Sequence, residues 1–184
     1  MKKWSVILGA SLAVMTSQAL AQEEIDQNQP DASVYMAGFS QTDLAQSFMQ
    51  AGDNISGVDI FLQPDIGSTD TVIISLWDAL PNAGGTLLTQ GSTQGTAGTW
   101  AEVDWAPFSI TPETTYYLVF TGNTSLGIAG SVNNPYPRGQ VYANPGFGSF
   151  PSFDYAFRTW TLIPAPSSLA LMGLGGIAIA RRRR

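Results

Sequence analysis

Apolar residues recur at every second position in two stretches of this chain. In NISGVDIFL (54–62), Val58, Ile60 and Leu62 fall on one face of an extended segment, and Asp59 and Phe61 fall on the other. In TVIISLW (71–77), Val72, Ile74 and Leu76 point one way and Thr71, Ile73, Ser75 and Trp77 the other. Period two is the mark of a half-buried β-strand. Runs rich in Val, Ile, Tyr, Phe, Trp and Thr predict further strands at 45–49, 86–90, 100–105, 115–120, 125–132, 140–142 and 155–161. The sequences PNAGG, GTAG, TPET and TGNT supply turns between them. Roughly eight or nine antiparallel strands predict an all-β fold of two packed sheets, most economically a jelly roll. It occupies residues 33–162, with no helix inside it and no internal repeat.

The two ends break the alternation. Lys2 and Lys3 precede an apolar stretch from Trp4 to Met15, and Ala19-Leu20-Ala21 supplies a small-x-small cleavage site. Residues 1–21 are therefore expected to be a secretory signal peptide rather than a fold element. Residues 22–32, opening QEEIDQNQPD, are polar and end in a proline turn, which predicts a flexible leader. At the far end, residues 169–180 carry no charge and are followed by Arg181, Arg182, Arg183 and Arg184. As a helix, this run reaches only about 18 Å against a bilayer core of about 30 Å. Starting at Ser167 and adding snorkelling arginine stems brings the reach to roughly 27 Å. With the amino end exported, the positive-inside rule keeps the four arginines cytoplasmic, as a stop-transfer brake on a C-terminal hydrophobic helix. They also argue against a glycosylphosphatidylinositol signal, whose tail is uncharged.

Pro164-Ala165-Pro166, then Ser167-Ser168-Leu169-Ala170-Leu171, a glycine-rich apolar run and terminal arginines closely resemble the PEP-CTERM sorting signal of Gram-negative bacteria. The resemblance covers residues 163–184. It implies an inner-membrane-anchored precursor, recognition of the Pro-x-Pro tripeptide by a peptidase of the exosortase type, and passage to the cell surface or the exopolysaccharide matrix. Ala165 stands where the family's tripeptide has Glu. If the peptidase needs that carboxylate, processing is slow or absent and the protein stays anchored.

Composition narrows the chemistry of the exported part. All fourteen acids lie between Glu23 and Asp154, while the only basic residues outside the two sorting segments are Arg138 and Arg158, so the exported body carries −12. Such a surface repels nucleic acid and anionic headgroups. Without cysteine it has no disulfides. Without histidine it has neither Ser-His-Asp catalysis nor the usual zinc sites.

Three groups of residues remain as candidate chemistry. In NNPYPRGQVYANPGFGSFPSFDY, rings interleave with Pro, Gly and Asn. Tyr136 and Tyr142 are suited to stacking on sugar faces, with Arg138 as a hydrogen-bond partner, although the same rings could equally plug the end of the sandwich. Asp53, Asp65 and Asp70 offer oxygen ligands to calcium, though Asx residues in turns look the same. Glu102 and Asp104 share a strand face with Trp100, their backbones about 6.6 Å apart, which is a pairing open to glycosidase acid and base roles but also ordinary for a wet strand. The strand order from LAQSF to DYAFRTW also resembles secreted bacterial jelly-roll modules akin to galactose-binding and carbohydrate-binding domains. The expectation is an exported, non-enzymatic surface or matrix protein without a cofactor, with carbohydrate binding as the alternative and a glycan-active enzyme a remote third.

Overall fold

The computed structural model describes residues 21–122 and 125–164. Its strands are, in chain order, β1 (Gln22–Gln29), β2 (Val34–Gly38), β3 (Leu44–Met49), β4 (Asn54–Phe61), β5 (Thr69–Trp77), β6 (Leu87–Thr96), β7 (Trp100–Ser109), β8 (Thr115–Gly122), β9 (Gly127–Ser131), β10 (Val141–Ala143), β11 (Gly148–Phe150), β12 (Asp154–Tyr155) and β13 (Phe157–Ile163). One turn of 3-10 helix, Pro81–Ala83, lies between β5 and β6.

The strands form antiparallel sheets ordered β1-β13-β4-β7 and β11-β10-β3-β8-β5-β6, with a third, β12-β9-β2. The third extends the first. Just beyond β4, Leu62 bridges Ile128 of β9, and the Gln63 amide donates to the Gly127 carbonyl. One layer thus runs β2-β9-β4-β7 and the other β3-β8-β5-β6, so the chain passes back and forth between layers in the manner of a jelly roll.

Alternation places the core where the sequence predicts it. Val58, Ile60 and Leu62 from one layer and Val72, Ile74 and Leu76 from the other are fully buried in one hydrophobic cluster. Phe48 of β3 meets Phe157 of β13 across the layers, edge to face at 6.4 Å. β6 runs on to Thr96, past the predicted 86–90, because its glycines close against the opposite layer. A Cβ at Gly91 would stand 2.5 Å from Val103 Cγ1, and one at Gly95 2.5 Å from Leu62 Cδ1.

Several expectations need correction. The stretch expected as a flexible leader contains a strand, β1, on the edge of the first sheet beside β13. Its inward positions are glutamines: the Gln27 backbone N–H donates to Thr159 Oγ1 at 3.2 Å, and Gln29 Nε2 donates to the Tyr155 carbonyl at 3.1 Å. The Asp26 carboxylate pins the neighbouring loop by accepting from the amides of Ala51 and Gly52. The predicted strand 155–161 is two strands, since the chain changes partners at Ala156, leaving β9 for β4. The expected signal peptide, up to residue 20, and the expected C-terminal hydrophobic helix lie outside the described residues. Among those that are described, no helix is long and apolar enough to cross a membrane.

Candidate functional site

The late aromatic segment folds inward. Tyr136 is only 6% exposed and belongs to the main core. Its ring stands edge to face on Phe157 at 5.1 Å, and its hydroxyl donates to Gln27 Oε1 at 2.8 Å while lying 3.2 Å from the Met49 amide. Burial pushes the phenol above its ordinary pKa. A ring so enclosed has no face to offer a sugar, which corrects the stacking role expected of it. Tyr142 is half-buried in a separate cluster around Ala45, Val119 and Phe147, with Tyr117 edge-on at 5.7 Å. Arg138 pairs with Glu113 at 2.5 Å. The three residues expected at one glycan site therefore serve different packing roles. Phe150 and Phe153, stacked at 5.6 Å, cover a hollow of about 80 Å³ with Met36, Val141, Ala143 and Tyr155.

Two of the calcium candidates, Asp53 and Asp65, lie in loops, and the third, Asp70, lies at the start of β5. Asp53 accepts from Asn54 Nδ2, Asp65 adopts a left-handed backbone (φ 62°), and Asp70 accepts from Ser125 Oγ at 2.6 Å and from the Thr71 amide. Among the described residues, no three His, Asp or Glu side chains come together to hold a metal.

A different surface gathers chemistry, the outer face of β13-β4-β7. Val58, Ile60, Thr159, Ala101 and Val103 are buried on the core side, so the residues between them point outward. Register then sets three rows across the strands. Trp160 lies opposite Gly57 and Gly57 opposite Asp104; Arg158 opposite Asp59 and Asp59 opposite Glu102; Phe61 opposite Trp100.

Asp59 is 1% exposed although it sits on the outward face, because its row mates cover it. Trp160 Nε1 donates to its Oδ1 at 2.9 Å, and Arg158 Nη1 approaches Oδ2 at 3.9 Å, too far for a hydrogen bond. Asp59 Oδ2 and Arg158 Nε are both buried without a hydrogen-bond partner. The guanidinium lies over the Trp100 ring, 3.9 Å from its centroid, and Trp100 meets Phe61 edge-on at 5.3 Å. Loss of hydration pushes the Asp59 carboxyl up to about 6; the Trp160 hydrogen bond resists, Glu102 adds to the rise, Arg158 opposes it and Asp104 again adds. Glu102 and Asp104 are open to water. Gly57 is buried between Trp160 and Asp104, and the Asp104 carboxylate occupies the place a side chain would take, since a Cβ there would stand 2.7 Å from Asp104 Oδ1. The face thus combines half-exposed indole surface, open acceptors and a withdrawn carboxylate with one unused oxygen.

Glu102, Asp104 and Trp100, which the sequence offers as a carboxylate pair beside a ring, do share this face. Asp59, Phe61, Arg158 and Trp160 were not singled out. The signals available were the alternation that sets Asp59 and Phe61 opposite the core residues, and the rarity of arginine in residues 22–164.

Of the residues expected to direct sorting, Ala21 and Pro164 are exposed, whereas Ala19, Ala165, Pro166 and Arg181 to Arg184 lie outside the described residues. The PEP-CTERM protein-sorting motif matches residues 162–184, overlapping β13 by Leu162 and Ile163. No curated protein matches the chain. The motif marks an exported protein sorted by exosortase, a membrane processing enzyme, and anchored transiently in the membrane before processing.

Proposed function

We propose that the chain is a non-enzymatic protein of the cell surface or the extracellular exopolysaccharide matrix, with its signal peptide cleaved after Ala21 and its tail removed near Pro164-Ala165-Pro166. The observation that carries this reading is the sorting motif over residues 162–184. The body supports it: a domain of −12 with no cysteine suits a soluble life outside the cell. Intact-mass measurement on material washed from the outer surface of its own cells tests it. The expected species begins at Gln22 and lacks most residues after Pro166. Full-length mass in that fraction would overturn the sorting steps, and absence of the protein from surface and matrix would overturn the destination.

Carbohydrate binding is a second reading, favoured by the outer face of β13-β4-β7 rather than by the late aromatic segment. Trp160 offers apolar surface to a pyranose ring, while Trp100 is capped by the Arg158 guanidinium, and Glu102 and Asp104 accept hydrogen bonds. Under this reading the two carboxylates bind a glycan and do not cleave it.

A further inference from the structure

We infer that the outer face of β13-β4-β7 binds a glycan bearing free amino groups, with Trp160 stacking on a sugar ring and Glu102 and Asp104 receiving the ammonium groups. This rests on the carbohydrate reading and is independent of either cleavage.

Charge selects the ligand class. Asp59, Glu102 and Asp104 stand against a single cation, Arg158, and that guanidinium is already committed to the Trp100 ring and the Asp59 carboxylate. The only other basic residue of 22–164, Arg138, is paired with Glu113. A uronic-acid polymer would bring like charge to this face and to a body of −12. A neutral glycan would use the rings and donate hydroxyls to the carboxylates, but would bring no charge to offset theirs. An amino sugar uses both, because its ring carbons lie on indole and its ammonium donates to carboxylate in a charge-assisted hydrogen bond.

Geometry agrees. Glu102 and Asp104 are two residues apart on β7, about 6.6 Å, and Trp160 and Trp100 lie at opposite corners of the three-strand patch, roughly 16 Å apart at the backbone. The patch therefore matches a short run of linked sugars rather than one. Beside Trp160 and Asp104, the neighbouring Asp59, almost wholly buried, holds Oδ2 without a hydrogen-bond partner.

Titration calorimetry on the protein purified from its own envelope tests this, using glucosamine oligomers, their fully N-acetylated counterparts and alginate oligomers, at a pH where the amines are protonated. Glucosamine oligomers should bind at least ten-fold more tightly than the acetylated ones, with no binding of alginate. The exposed pair change Glu102→Gln with Asp104→Asn should abolish that preference, while Glu23→Gln with Glu24→Gln, an equal loss of charge on β1, should leave it intact. Trp160→Ala should weaken both hexosamine ligands about five-fold or more. Equal affinity for all three glycans, no binding at all, or equal sensitivity to the two charge-removing pairs would overturn the inference. The location of the protein, read by mass and fractionation, is untouched by any of these results.

Discussion

The late aromatic segment and the outer face of β13-β4-β7 present opposite faces of the same residue types. In the first, rings crowd the sequence between 136 and 155, yet they go inward: Tyr136 and Tyr155 are core residues, and Phe150 stacks on Phe153. In the second, Phe61, Trp100 and Trp160 are scattered over 99 positions and share one face only because β4 pairs with both β7 and β13. Density along a chain reflects how much apolar area a loop must bury to stay closed. Convergence across strands is what places aromatic and charged groups side by side on an open surface.

The sharpest way to break this comparison is Tyr136→Ala. As a core ring with hydrogen bonds to Gln27 and Met49, its loss should cost about 3–4 kcal/mol in chemical denaturation. An unchanged midpoint would put the ring back on the surface. Next comes the pH dependence of Asp59, which faces Arg158 and Trp160 from β13 and Glu102 and Asp104 from β7. Its carboxyl is raised from 3.8 to about 6 in the folded protein, so the native state holds the proton more tightly than the unfolded chain does. Stability should therefore fall as pH rises from about 4 to about 6, by roughly 1–2 kcal/mol after screening by nearby water. Denaturation midpoints measured across that window should flatten in Asp59→Asn. The buried Asp154 carboxyl is likewise raised, by burial, and supplies whatever slope of the same sign persists. A smaller effect is expected of Trp160→Phe, which keeps a ring but removes the donor to Asp59: a loss of about 1 kcal/mol, with the Asp59 titration moving further up, visible by carboxyl NMR. Least of all, Arg138→Gln should change stability by no more than about 0.5 kcal/mol, since its partner Glu113 is open to solvent.

Much of the fold was legible because its strands bury one face. Val58, Ile60 and Leu62, and Val72, Ile74 and Leu76, announce both their element and their orientation. β1 was not legible, because its buried positions are Gln27 and Gln29, held by hydrogen bonds rather than apolar contact, and the period-two signal counts only apolar residues. β6 was legible over its first half only. Its inward Gly91 and Gly95 look like turn residues until the nearness of Val103 and Leu62 shows why no side chain fits. Of the candidate site, the β7 edge was visible from spacing alone: Trp100, Glu102 and Asp104. Asp59 and Arg158 are 99 positions apart, and their register is a property of the assembled sheet. The calcium and late-loop candidates came from residue type alone, which says neither that Tyr136 turns into the core nor that the acids of the loops fail to converge.

β13 is the last strand before the sorting motif takes over, and it is not an edge. Hydrogen bonds tie it to β1 on one side and to β4 on the other. A pull on Ile163 along the strand axis, such as fluid drag on a domain still tethered by its tail, strains both ladders together in shear instead of opening them one rung at a time. The polar edge strand β1 thus adds a second ladder to the grip on the segment that joins the domain to its tether, and trimming a few residues from Gln22 onward should make the domain easier to tear open before it has lost much of its equilibrium stability.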